Sequence, residues 1–170
     1  MDLVEQAREN AADNFKNGLN CSESIVKAIL DTGEVDFPPE VVAMATGFGG
    51  GMGLSGHNCG ALTGGIMAIG AAHGRRTPHE GEFKERVKQL YGNPGLYRFF
   101  NGFPHKFNEK FGTVDCSTLN HEFTEWMDKN RFRNCLKIVI ETAGMAMEHI
   151  IEGREKGYTQ PFGKNMAGKV

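Results

Sequence analysis

Apolar residues recur three and four positions apart over nearly the whole chain, and alternating β-branched runs are absent. This pattern predicts an all-α fold, a single-domain bundle of about six to eight helices. Leu3, Ala7, Ala11 and Phe15 form an i, i+4 stripe on a first helix, and Ile25, Val26, Ile29 and Leu30 mark a second that stops before Gly33. Pro38 and Pro39 open a third, short helix through Val41, Val42 and Met44. A fourth, central helix is expected from about Cys59 to His73, burying Leu62, Ile66 and Ile69 and ending at Gly74. Thr77-Pro78-His79-Glu80 reads as a capping box with proline at the first helical position, leading into Phe83, Val87, Leu90 and Tyr91. Leu96, Phe100, Phe103, Phe107 and Phe111 then make an aromatic stripe, which Pro104 is expected to kink or split. Rings at this spacing are core packing, so no cofactor is assigned to them. The last long helix is expected over about Cys135 to Glu155, with Ile138, Val139, Thr142, Ala146 and Ile150 buried. Residues 1–157 read as one domain and 158–170 as an irregular C-terminal tail.

Composition narrows the function classes. The 170 residues carry a net charge of −2, so there is no global basic field to hold nucleic acid or an anionic membrane. No segment approaches the roughly 18 consecutive apolar residues of a membrane span, and the acidic, amphipathic start MDLVEQAREN is unlike a secretory signal. The expected location is therefore cytoplasmic and reducing. There, four widely spread cysteines are more often ligands or redox-active thiols than structural staples.

Each of the four follows a short side chain able to cap a helix: Asn20-Cys21, Asn58-Cys59, Asp115-Cys116 and Asn134-Cys135. That context predicts a cysteine at the first position of four helices, where the macrodipole and free N–H groups lower the thiol pKa. If the four starts converge, four thiolates meet beside a set of backbone donors of the kind that stabilises the sulfurs of an iron–sulfur centre. The intervals of 38, 57 and 19 residues exclude a zinc ribbon, a thioredoxin motif and the ferredoxin runs, and the missing C-x-x-C-H excludes covalent haem.

The glycines cluster just before one of these cysteines. Gly51, Gly53 and Gly56 satisfy G-x-G-x-x-G, but no strand precedes them, so a dinucleotide site is not supported. A loop of this composition can instead wrap beside Cys59 and aim N–H groups at sulfur. Gly60 and Gly64, four apart on one helix face, would let a bound centre or another helix come close. His57 is a candidate variant ligand, although a loop histidine is more often solvated.

Asn20-Cys21-Ser22-Glu23, Ala45-Thr46-Gly47-Phe48-Gly49-Gly50-Gly51-Met52-Gly53, Cys59-Gly60-Ala61-Leu62-Thr63-Gly64, Phe111-Gly112 before Cys116, and Cys135 together carry a resemblance. The chain resembles the bacterial redox-active family C_GCAxxG_C_C, named for four cysteines around a CGAxxG motif, over roughly residues 15–150. That family looks related to a domain of split-Soret cytochrome that carries an iron–sulfur type centre. The resemblance implies iron held by Cys21, Cys59, Cys116 and Cys135, in a [2Fe–2S] centre used for electron transfer or redox sensing. Two alternatives stand beside it. One is a metal-free thiol–disulfide oxidoreductase in which Cys59 attacks and a second cysteine resolves. The other is a structural Cys₄ zinc domain. The expected partner is an unidentified redox protein, with no nucleic acid and no membrane, and the expected assembly is a homodimer to which the Phe-rich helix contributes.

Overall fold

In the computed structural model, which describes residues 2–166, helix α1 spans Leu3–Lys16 and buries Val4, Ala7, Ala11 and Phe15 along its i, i+4 face. Helix α2 (Cys21–Leu30) begins at a complete capping box. The Asn20 side chain accepts from the Ser22 and Glu23 N–H groups at 3.0 and 2.9 Å, while the Asn20 N–H donates to the Glu23 carboxylate at 2.9 Å. Both side chains also reach Thr46: Asn20 Nδ2 donates to its carbonyl at 3.0 Å, and its hydroxyl donates to Glu23 Oε1 at 2.7 Å. The start of α2 is thereby tied to the segment Pro39–Phe48, which forms tight 3₁₀ turns in place of the expected third helix. That segment buries only Ala45, and Met44 points to solvent.

Then come α3 (Gly60–His73), α4 (Phe83–Tyr91), α5 (Leu96–Phe111), a single-turn α6 (Cys116–Leu119) and α7 (Lys129–Lys156). Seven helices and no strand among the described residues bear out the all-α expectation. Helix α7 is the spine: α1 and α3 pack along it, α2 lies between α1 and α3, α5 rests on α3 and α7, and α4 packs on α5. Leu62 and Ile69 of α3 and Ile138, Val139, Thr142, Ala146 and Ile150 of α7 are buried as expected, whereas Ile66, also expected in the core, is only partly buried.

Four local expectations are corrected. Thr77-Pro78-His79-Glu80 forms turns and α4 begins later, at Phe83, because Gly81 takes the left-handed conformation (φ 81°) and interrupts any helix there. Helix α5 runs unbroken through Pro104; the missing N–H costs one hydrogen bond, which burial of Phe99, Phe103 and Phe107 outweighs. Helix α7 begins at Lys129, well before Cys135, because the Asp128 carboxylate accepts from the Asn130 and Arg131 N–H groups and supplies the cap. Cys59 is itself the N-cap residue of α3, so Asn58 lies outside the helix. Of the expected stripe on α5, Leu96, Phe103 and Phe107 are buried within the chain and Phe100 and Phe111 only partly so, while Phe99, outside the stripe, is buried beside them. Residues 158–166 have no regular structure but are fastened down: the Tyr158 carbonyl accepts from the Gly95 N–H at 2.9 Å, and the Arg98 guanidinium lies 4.8 Å from the Phe162 ring centre. The final four residues of the expected tail, 167–170, lie outside the described residues.

Two neutral histidines brace the far end of the bundle. Buried His149 donates through Nε2 to the Phe99 carbonyl at 3.0 Å, stacks on the Phe99 ring at 4.3 Å, and offers Nδ1 to the Lys106 ammonium at 3.5 Å. His73 accepts from the Tyr158 hydroxyl at 2.8 Å and donates to the Ile150 carbonyl at 2.9 Å. Burial holds both imidazoles below the ordinary histidine value of 6.5; Lys106 and His73 lower His149 further, while the Phe99 carbonyl and Glu152 act against the shift. A depressed folded-state pKa means the unfolded chain binds the proton first, so stability is full above about 6.5 and falls as pH drops through the folded-state value. Chemical denaturation at successive pH values should show this decline, and His149→Gln should flatten it.

Candidate metal and redox centre

The glycine segment supplies the first wall of the site. Gly50 and Gly51 adopt left-handed backbone (φ 63° and 69°), and a Cβ on Gly51 would stand 2.7 Å from the Cys116 Cβ and 2.6 Å from the His57 carbonyl oxygen. Only glycine permits that crossing. The chain then doubles back so that the His57 N–H donates to the Gly51 carbonyl at 3.1 Å. An isolated antiparallel bridge between Asn58 and Asp115 follows: the Cys59 N–H donates to the Val114 carbonyl at 2.7 Å and the Cys116 N–H to the His57 carbonyl at 2.8 Å. Two cysteines far apart in sequence thus leave from neighbouring points.

Cys21 arrives from the first turn of α2, where the Gly50 and Ser22 N–H groups face its sulfur. The Ala61 and Leu62 N–H groups face the sulfur of Cys59. Cys135 arrives from the second turn of α7, and Asn120 links it to Cys116: the Cys135 thiol donates to Asn120 Oδ1 at 3.4 Å, and Asn120 Nδ2 lies 3.7 Å from the Cys116 sulfur. All four cysteines line one cavity of about 300 Å³, with Asn20, Thr46, Leu54, Trp126 and Arg131 completing its walls.

Burial decides the protonation of this set. Each thiol is pushed above its ordinary value, Cys59 to about 12 and Cys135 to about 11, with the proximity of other cysteines adding to the rise at Cys59, Cys116 and Cys135. Helix starts predict lowered values, but desolvation outweighs the backbone donors. The four metal-free thiols are therefore protonated at neutral pH.

Arg131 is the one charged side chain in the wall. It is only 9% exposed, its Nη1 donates to the Cys135 sulfur at 3.6 Å, its Nε donates to the Trp126 carbonyl, and its guanidinium lies 3.8 Å over the Trp126 ring. No carboxylate pairs with it among the described residues. A buried cation with no carboxylate partner favours negative charge in the cavity it faces.

These observations test the fit of a metal group. Among the described residues no three His, Cys, Asp or Glu side chains converge closely enough to hold a single ion. The four cysteines instead line one cavity of about 300 Å³, more space than one ion fills, with backbone N–H groups facing two of the sulfurs and a guanidinium beside a third. This donor set fits a thiolate-bound group of several atoms better than one zinc ion.

The remaining expected residues fall as follows. Gly60 sits behind the Cys21 sulfur, where a Cβ would approach to 2.3 Å; a Cβ on Gly64 would stand 2.7 Å from the Ser22 carbonyl oxygen, so this glycine serves the close α2–α3 contact. Gly49, Gly50 and Gly53 line the cavity instead. The His57 ring is not among the lining residues; its backbone carries the fold of the loop. Arg131, Asn120 and Trp126 were missed by reasoning from sequence. Only Arg131 leaves a local signal, one helical turn before Cys135.

The sequence pattern of the family described as "Putative redox-active protein (C_GCAxxG_C_C)" matches residues 19–149. The chain is also similar to a protein of Archaeoglobus fulgidus described as "Uncharacterized protein", at 28% identity over 143 residues, covering 82% of this chain and 89% of the relative. No solved structure matches the chain. No helix among the described residues is long and apolar enough to cross a membrane. With its four cysteines lining one cavity and the family pattern running from just before the first to beyond the last, the chain belongs to the C_GCAxxG_C_C family of redox-active proteins.

Proposed function

We propose that the protein is a one-electron carrier or redox sensor in which Cys21, Cys59, Cys116 and Cys135 hold an iron–sulfur centre of the [2Fe–2S] type. The observation that carries this reading is the meeting of four cysteines from separate segments on one cavity of about 300 Å³. Such a centre, when bound, supplies one-electron transfer. The chain does the rest: Gly50, Ala61 and Leu62 direct N–H groups at two of the sulfurs, and Asn120 keeps Cys116 and Cys135 in register. Trp126, 46% exposed, lines the cavity and carries the Arg131 guanidinium 3.8 Å over its ring.

The metal-free oxidoreductase is disfavoured because Cys59, only 7% exposed and with its pKa near 12, carries almost no nucleophilic thiolate at neutral pH. Zinc is disfavoured by the lack of a single converging point among the described donors. Anaerobic reconstitution with iron and sulfide, followed by visible absorption spectroscopy, tests the proposal. Sulfur-to-iron charge-transfer bands that bleach on addition of dithionite are expected. A colourless protein that retains no iron contradicts it.

A further inference from the structure

Resting on the iron–sulfur reading, we infer that Arg131 is the charge-compensating residue of the centre and raises its reduction potential. The side chain is locked in place from three directions: Trp126 accepts from its Nε through the backbone carbonyl, the Trp126 ring lies under its guanidinium at 3.8 Å, and the Cys135 sulfur accepts from its Nη1 at 3.6 Å. It is 91% buried, lines the cavity, and has no acidic partner among the described residues. The nearest acid in sequence, Asp128, accepts from the Arg131 backbone N–H at 3.2 Å and forms no ion pair with the guanidinium. Arginine keeps its proton under all physiological conditions, so the positive charge is permanent.

The summed charge of four thiolates outweighs that of the iron–sulfur core, leaving the oxidised centre anionic, and an added electron makes it more so. Reduction by a one-electron donor, dithionite in the test below, transfers one electron to the centre; no bond at Arg131 forms or breaks and its proton stays. A fixed cation next to Cys135 stabilises the more negative, reduced state more than the oxidised one. Arg131 therefore acts on the equilibrium rather than on assembly alone.

The test is a mediated redox titration of the reconstituted wild type, Arg131→Met, Arg131→Gln and Arg131→Lys, followed by visible absorption, with iron measured in each. At a fixed potential, the reduced-to-oxidised ratio is expected to fall at least tenfold in Arg131→Met and Arg131→Gln, a midpoint lower by about 59 mV for a one-electron couple. Arg131→Lys, which keeps the charge, should stay near the wild type. Equal midpoints in wild type and Arg131→Met at equal iron content overturn the inference and leave the iron–sulfur reading intact. A wild type that holds no iron overturns both. If the neutral variants fail to load, loading in Arg131→Lys supports the role of charge, and loss in all three variants, lysine included, overturns it.

Discussion

Gly60→Ala is expected to reduce iron uptake at least tenfold while leaving the helix content nearly unchanged. A Cβ at this position would stand 2.3 Å from the Cys21 sulfur and 2.8 Å from the Phe48 carbonyl oxygen, against ordinary contact distances of 3.4–4 Å. Neither neighbour yields easily. Cys21 is fixed by the capping box at Asn20, and Phe48 ends the 3₁₀ segment that Asn20 and Glu23 hold through Thr46. The cheapest response is to rotate the sulfur away, which removes one ligand from the set. Iron content after reconstitution, read beside the far-UV circular dichroism, checks this. Gly70 on the same helix is the control, because nothing lies within 4 Å of its Cβ position. Gly70→Ala should load normally and gain about 0.5–1 kcal/mol of stability from helix propensity.

Phe103→Ala is expected to have the larger effect on stability, about 3–5 kcal/mol. The ring is fully buried on α5, its edge fills the space left by Gly65 on α3, where a Cβ would come within 2.7 Å, and its centre lies 5.6 Å from that of the His149 ring on α7. Truncation therefore opens a cavity where three helices meet, and close neighbours on rigid helices cannot collapse into it. For a domain of this size the loss corresponds to a fall of roughly 6–20 °C in Tm. Thermal unfolding measures it directly. Phe83, 70% exposed on α4, provides the contrast: Phe83→Ala should change stability by less than about 0.5 kcal/mol. Because Phe103 does not line the cysteine cavity, iron uptake at low temperature should survive its loss.

The parts of this fold that could be read from sequence are those governed by local periodicity. The stripes of α1 and α2, the end of α3 before Gly74, and the buried face of α7 follow from apolar spacing alone. Asn20 was legible because its capping box is a four-residue device, complete in sequence. Cys135 was misplaced because Asn134 looks like a cap in isolation, whereas Asp128 upstream begins the helix and Asn134 Nδ2 donates to the Leu119 carbonyl at 3.0 Å. The direction of the thiol pKa values was missed for a related reason. A helix end is visible in sequence, but burial, the larger effect at every one of these cysteines, depends on packing. The contacts that assemble the cavity are beyond local reading as well. The bridge from Asn58 to Asp115 joins two loops without a propensity signal, and the burial of Arg131 depends on the irregular chain around Trp126.

Whether four distant cysteines serve one centre is decided by iron and acid-labile sulfide analysis of the anaerobically reconstituted wild type and of Cys21→Ser, Cys59→Ser, Cys116→Ser and Cys135→Ser. About two irons and two sulfides per chain are expected in the wild type, as a [2Fe–2S] centre requires, with a large loss in each of the four variants. Stoichiometric zinc, absence of metal, or a loss confined to Cys59→Ser would contradict a shared iron–sulfur centre.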